Sequence, residues 1–123
     1  MNKNKKNILI VDDEETIRDT LSKILEEDGF DVESVDDAEK AIKKIKNEKY
    51  NLILLDLKLN GMSGFDVLKE TREINKELPI ILISGYLTME NIEKACGYGI
   101  FNYIRKPFEL DDLRDKIKRA LKK

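Results

Sequence analysis

The sequence contains no histidine and a single cysteine, Cys96. Without histidine there is no Ser-His-Asp or Cys-His nucleophile system, no imidazole-ligated metal and no phosphohistidine on the chain itself. One cysteine permits neither an intrachain disulfide nor a cysteine-rich zinc site, and Cys96 is expected to pack as a small apolar residue. Long hydrophobic runs are missing too. After the basic start only Ile8 to Val11 are apolar before Asp12, too short for a signal-peptide core or a membrane span, so a cytoplasmic protein is expected. Charge of one sign is not in excess either: the formal net charge is −2, which gives no basic field to draw in nucleic acid. The Lys-rich ends, Asn2 to Asn7 and Lys116 to Lys123, read as solvated termini. What remains for chemistry is carboxylates, hydroxyls and lysine.

A length of 123 residues with 41% hydrophobic composition suits one domain with one real core, spanning 1–123 with Asn2–Asn7 as a short polar tail. Leu52 to Leu55 form an unbroken apolar run without helical period, the pattern of a strand covered on both faces, and Asp56 follows at once. Ile8 to Val11 and Ile80 to Ile83 are runs of the same kind, ending on Asp12-Asp13-Glu14-Glu15 and on Ser84-Gly85. Val32 and Val35 alternate in a short strand, and Ile100 to Ile104 form the last, running into Arg105-Lys106-Pro107-Phe108. Between them apolar residues keep helical spacing: Ile17, Leu21, Ile24 and Leu25 up to Gly29; Ala38, Ala41, Ile42 and Ile45 behind a capping-box pair Asp36 and Glu39. Ser63 and Asp66 can cap a helix with Phe65, Leu68 and Ile74 inward, broken by Leu78-Pro79. Thr88 can cap one carrying Ile92, Ala95 and Cys96, closed near Gly97 and Gly99; Leu110, Leu113, Ile117 and Leu121 line the last. Five strands alternating with five helices predict an α/β, doubly wound parallel sheet with right-handed crossovers.

In such a fold the carboxyl ends of strands one, three, four and five open on one edge, where ligands bind. Asp12-Asp13, Asp56, Ser84 and Lys106 then fall together. Each has an ordinary explanation alone: a helix N-cap, a strand end, a turn, a solvated charge. Their coincidence at four strand ends is harder to dismiss. Crowded carboxylates repel, and the cheapest neutralisation at neutral pH is a divalent cation. An all-oxygen ligand set selects hard Mg2+ or Mn2+, which is often completed by a phosphoryl oxygen. The acidic first loop would repel a phosphate directly, unlike the glycine-rich turn of a nucleotide binder. Lys106 supplies a positive charge and Ser84 a hydroxyl suited to a transferred phosphoryl group.

These motifs, in order from Ile8-Leu-Ile-Val-Asp-Asp-Glu through Asp56-Leu-Lys-Leu-Asn-Gly-Met-Ser-Gly and Pro79-Ile-Ile-Leu-Ile-Ser-Gly to Tyr103-Ile-Arg-Lys-Pro-Phe, resemble the receiver domain of two-component response regulators over nearly the whole chain. The resemblance implies a flavodoxin-like sheet of order 2-1-3-4-5. It implies that Asp56 accepts a phosphoryl group from the phosphohistidine of a sensor histidine kinase or histidine phosphotransferase. Mg2+ would be held by Asp13, Asp56 and the Lys58 backbone carbonyl, with Asp12 partly through water, and Lys106 would pair with the phosphoryl group. Pro107 matches a proline that follows a cis bond. Ser84 and Tyr103 would be the switch, though an aromatic in a last strand is ordinarily packing. Gly85 fits a position that lets an amide reach a phosphoryl oxygen. Lys58 and Tyr86 occupy positions that tune dephosphorylation, and the helix from Thr88 to Gly97, the last strand and the last helix would signal to a downstream protein. Asn60 stands where a proline is frequent and Asn102 where an acidic residue is frequent; neither is a reacting residue.

Three functions compete: a phosphoryl-accepting switch without turnover of an external substrate, a Mg2+-dependent aspartate-nucleophile phosphatase, and a receiver-shaped binding module that takes no phosphate. The phosphatase is disfavoured because Asp12 and Asp13 are adjacent rather than spaced Asp-x-Asp, Lys58 stands two places beyond Asp56, and there is no room for a substrate cap. A stand-alone regulator or phosphorelay intermediate is expected, with the receiver half of a longer transcriptional regulator as the alternative.

Overall fold

The structure, a computed structural model, describes residues 5–61 and 63–122. Five strands and five helices alternate: β1 (Asn7–Val11), α1 (Glu15–Glu27), β2 (Asp31–Val35), α2 (Ala38–Asn47), β3 (Leu52–Leu55), α3 (Gly64–Ile74), β4 (Ile80–Ser84), α4 (Met89–Cys96), β5 (Asn102–Arg105) and α5 (Leu110–Leu121). The strands form one parallel sheet of order β2-β1-β3-β4-β5, the doubly wound arrangement expected from the alternation.

The reason three strands read as unbroken apolar runs is visible in the packing. Successive side chains point to opposite faces of a strand. Leu9, Val11, Ile53, Leu55, Ile80 and Leu82 pack with Ala38, Ala41 and Ile45 of α2, Val67 and Leu68 of α3 and Ala95 of α4. Their neighbours Ile8, Ile10, Leu52, Leu54, Ile81 and Ile83 pack with Leu21 and Leu25 of α1 and Leu113, Ile117 and Ala120 of α5. Each central strand therefore buries both faces, and no polar alternation survives in it.

Register then sets the site. Val11 lies beside Leu55, Leu55 beside Leu82 and Ser84 beside Arg105, so β1 and β3 stop at one level and β4 and β5 two residues further along, all on the same edge. The backbone ladder continues one step past them, with the Asp56 amide donating to the Val11 carbonyl at 2.9 Å and the Lys106 amide to the Ser84 carbonyl at 2.9 Å.

The helix starts follow local chemistry. Ser63 and Asp66 form the expected capping box on α3, and Thr88 accepts from the Asn91 amide at 3.0 Å to open α4. Gly29 takes φ +99 just after α1, a left-handed turn that glycine adopts without a Cβ penalty.

Several expectations need correction. The cap of α2 is Asp37, which accepts from the Lys40 amide at 2.8 Å; Asp36 instead pairs with the Lys40 ammonium at 2.8 Å. Cys96 ends α4 exposed, and Ala95 takes the buried place. Ile74, the last residue of α3, is 41% exposed, and Thr71, one turn earlier, is the last buried residue of that helix. The last strand begins at Asn102 rather than Ile100. Asn7 belongs to β1, Lys5 and Lys6 are exposed, and the remainder of the polar tail, residues 2–4, lies outside the described residues, as does residue 123.

Candidate functional site

Asp12 and Asp13 leave β1, Glu14 precedes the first turn of α1, Asp56 leaves β3 and Lys106 leaves β5. The parallel register brings them together at the carboxyl edge of the sheet. The Lys106 ammonium donates to Asp12 Oδ2 at 2.8 Å, to Asp56 Oδ2 at 2.8 Å and to Glu14 Oε1 at 3.1 Å. Asp12 and Asp56 are buried, and the second oxygen of each is also used. Asp12 Oδ1 accepts from the Glu14 amide at 2.9 Å, and Asp56 Oδ1 from the Lys58 amide at 3.1 Å. These short loops close on their own carboxylates, which fixes where both aspartates point. The Arg18 guanidinium donates to the Asp12 carbonyl at 2.8 Å and ties the loop to α1.

The electrostatics follow from burial and crowding. Burial raises the Asp12 carboxyl above its ordinary value of 3.8, against the opposing pull of Lys106 and the Glu14 amide. For Lys106 burial acts downward, but its hydrogen bonds and charge contacts with Asp12 and Asp56 prevail and hold the ammonium above its ordinary value. One cation among this many acids leaves a net negative site.

One carboxylate oxygen from each of Asp12, Asp13, Glu14 and Asp56 lies within 4.8 Å of the other three. Four oxygen donors, in a chain without histidine, fit a hard divalent cation such as Mg2+ and not zinc. Carboxylates this close favour a cation because a metal removes repulsion that a single lysine only reduces.

The other predicted residues surround this centre. Ser84 is fully buried, and its hydroxyl accepts from the Tyr86 amide at 3.1 Å. The Lys58 ammonium reaches the Tyr86 hydroxyl at 3.0 Å, while Asn91 holds the Tyr86 carbonyl at 2.7 Å. Lys58 and Tyr86 line a cavity of about 350 Å³ between the loops after β3 and β4. The Lys106–Pro107 peptide bond is cis. A Cβ added at Gly85 would meet nothing within 4 Å, so packing within the chain does not require glycine there. Tyr103 is 40% exposed on β5 and makes no contact with the carboxylates; its amide donates to Asn102 at 2.8 Å. A larger recess of about 880 Å³, lined by Lys6, Tyr50, Arg72 and Pro79 among others, lies at the opposite edge of the sheet, away from this chemistry.

Three residues escaped the sequence reading. Glu14 was visible as the third acid of the run after the first strand, but nothing local tells which way its side chain turns. Arg18 follows one helical turn later. Gly64 sits where an added Cβ would lie 2.5 Å from the Asp56 carbonyl oxygen and 2.7 Å from Leu57 Cα. The start of α3 is thus pressed against the backbone that carries Asp56.

Comparison with known proteins adds a second line. The model of the response regulator receiver domain family matches residues 8–118. Sporulation initiation phosphotransferase F of Bacillus subtilis is 31% identical over 114 residues, covering 93% of this chain and 92% of that protein. Regulatory protein AtoC of Escherichia coli is 34% identical over 114 residues; this chain spans only 25% of its length. The crystal structure of a CheY-like response regulator receiver domain protein from Methanospirillum hungatei superposes with a TM-score of 0.94 at 38% identity, covering 97% of this chain and 95% of that one.

Proposed function

This chain belongs to the response regulator receiver domain family of two-component signalling, and on that premise we propose that Asp56 is its phosphoacceptor. The observation that carries the assignment is the Lys106 ammonium, 2.8 Å from each of the two buried carboxylates, Asp12 and Asp56. Asp56 is the residue in this group whose oxygen both contacts the lysine and sits at the mouth of the central strand β3.

In the proposed reaction an Asp56 carboxylate oxygen forms a bond to phosphorus as the N–P bond of a partner's phosphohistidine breaks, and the imidazole leaves. The Lys106 ammonium donates to a peripheral phosphoryl oxygen, where charge builds in the transition state. Asp13, Asp56 and the Lys58 carbonyl, with Asp12 partly through water, would hold Mg2+, or Mn2+, which has the same donor preference. The metal, when bound, neutralises the acidic residues and offsets the charge of the incoming phosphoryl oxygens. The Ser84 hydroxyl and the Gly85 amide bind the product's phosphoryl oxygens, and the exposed Tyr103 ring moves inward in response. The surface of α4, β5 and α5 then changes its affinity for a downstream protein. Lys58 and Tyr86 cover the acyl phosphate and slow its hydrolysis. The chain turns over no external substrate, acts in the cytoplasm and contacts neither nucleic acid nor membrane; no described helix is long and apolar enough to cross one.

The phosphoryl source is a sensor histidine kinase or a histidine phosphotransferase. A role as phosphorelay intermediate or stand-alone regulator is supported by the likeness to a phosphotransferase matched over 92% of its length. The second reading, the receiver part of a longer transcriptional regulator, is favoured by relatives such as AtoC, of which this chain spans 25%.

Acetyl phosphate with and without Mg2+, followed by intact mass measurement, tests the assignment. Metal-dependent gain of one phosphoryl group, absent in Asp56→Asn, is expected. Sustained hydrolysis of phosphate esters would point to a phosphatase instead, and no modification by any donor or kinase would leave a binding module.

A further inference from the structure

Lysine has three N–H donors and no more. In this structure Lys106 directs all three to carboxylates: Asp12 at 2.8 Å, Asp56 at 2.8 Å and Glu14 at 3.1 Å. A lysine so saturated has no donor left for a phosphoryl oxygen. One of the three contacts must break before the reaction proposed above can be assisted, and the three are not equal. The Asp12 and Asp56 side chains are 4% and 5% exposed, whereas Glu14 is 59% exposed and makes the longest of the bonds. A contact in water is weak, and a contact between buried partners is costly to break.

The backbone around Glu14 separates its side chain from the fold. Its amide is held by Asp12 Oδ1 at 2.9 Å, and its carbonyl accepts from the Arg18 amide at 3.1 Å. Its carboxylate makes no capping bond to the start of α1. The main chain is pinned while the side chain is free to leave.

We infer that Glu14 is a positioning residue that occupies, on Lys106, the place a phosphoryl oxygen takes, and that it competes with the phosphoryl donor for that ammonium. This rests on the receiver reading and extends it to a residue which that reading does not use. Glu14 keeps Lys106 aimed at the site when no phosphoryl group is present and yields when one arrives. Its negative charge also opposes the approach of a dianionic donor, so both effects have the same sign.

The test is Glu14→Gln, with Glu14→Ala as the second variant because glutamine retains an acceptor oxygen. Beryllium fluoride, a tetrahedral phosphoryl mimic, is titrated by calorimetry at saturating Mg2+, so that a changed metal affinity does not enter. Half-saturation with acetyl phosphate is measured alongside. Both variants should bind the mimic about 1.5- to fivefold more tightly than wild type, the range an exposed ion pair supports, and reach half-saturation with less acetyl phosphate. Their thermal midpoints should not fall, so the tighter binding cannot be the by-product of a damaged fold. Wild type that is phosphorylated while both variants bind the mimic equally or more weakly overturns the competition alone. Wild type that takes neither mimic nor phosphoryl group overturns the receiver assignment and this inference together.

Discussion

Replacing Lys106 by methionine removes the ammonium while keeping an unbranched side chain of similar length. Lys106 is 13% exposed in its pairs with Asp12 and Asp56, which are 4% and 5% exposed. Breaking a buried pair from one side leaves the other charge uncompensated and costs about 3–5 kcal/mol. Here two aspartates lose their cation at once, but each keeps a backbone amide donor, from Glu14 and Lys58, so the lower figure of about 3 kcal/mol is the appropriate one. For a domain of this size that is a fall of roughly 10–15 °C in the thermal midpoint. The pair Lys116–Asp112, at 2.7 Å with side chains 20% and 51% exposed, is the more solvated internal control. Its loss in Lys116→Ala should cost no more than about 1 kcal/mol despite the shorter distance. The assay is thermal and urea unfolding followed by far-ultraviolet circular dichroism, in chelator and again with Mg2+. Because a divalent cation relieves the same repulsion, Mg2+ should stabilise Lys106→Met more than wild type and narrow the gap between them. If Lys106→Met in chelator were as stable as wild type, or gained no more from Mg2+, the account of a crowded site held by one cation would be wrong.

Gly64→Ala places a Cβ 2.5 Å from the Asp56 carbonyl oxygen, so backbone must move; a loss of about 2–4 kcal/mol in urea unfolding is expected, with slower phosphorylation by acetyl phosphate. Full stability would show that the close approach is easily relieved. Asp12 is raised above 3.8, so between that value and its folded value the folded chain holds more protons than the unfolded one. Metal-free stability should therefore fall as pH rises through that interval, and Mg2+ affinity by calorimetry should weaken as pH falls through it. Lys106 acts in the alkaline range: its contribution is whole below about 10.5 and is lost as pH rises through its higher folded value. Lys58→Ala combined with Tyr86→Ala removes the contact at 3.0 Å beside Asp56, and phosphoryl decay after donor removal should quicken severalfold. Equal or slower decay would count against shielding.

Much of this arrangement follows from local rules acting on short stretches of chain. A strand buried on both faces must be apolar throughout, so Leu52 to Leu55 and Ile80 to Ile83 declared themselves, and the alternation of strands with helices left one doubly wound architecture. Capping is equally local: Ser63 with Asp66, and Thr88, meet amides two or three residues away. Where two adjacent residues offered the same chemistry, local rules stopped. Asp36 and Asp37 are both good caps, and the choice of Asp37 accompanies its bridge to Asn60 in the loop after β3. Ile74 and Cys96 keep helical spacing with the core, yet each ends its helix, and whether a final turn is covered depends on what the next element brings over it. Glu14 and Lys106 are 92 positions apart, and Gly64 meets the backbone of Asp56 only because α3 folds back on β3. Sequence by itself determined which residues could form strands, helices and a reactive edge, because periodicity and capping act within a few residues. Only the tertiary structure decided which carboxylates share one ammonium, because that depends on parallel register across β1, β3 and β5, which no neighbouring residue encodes.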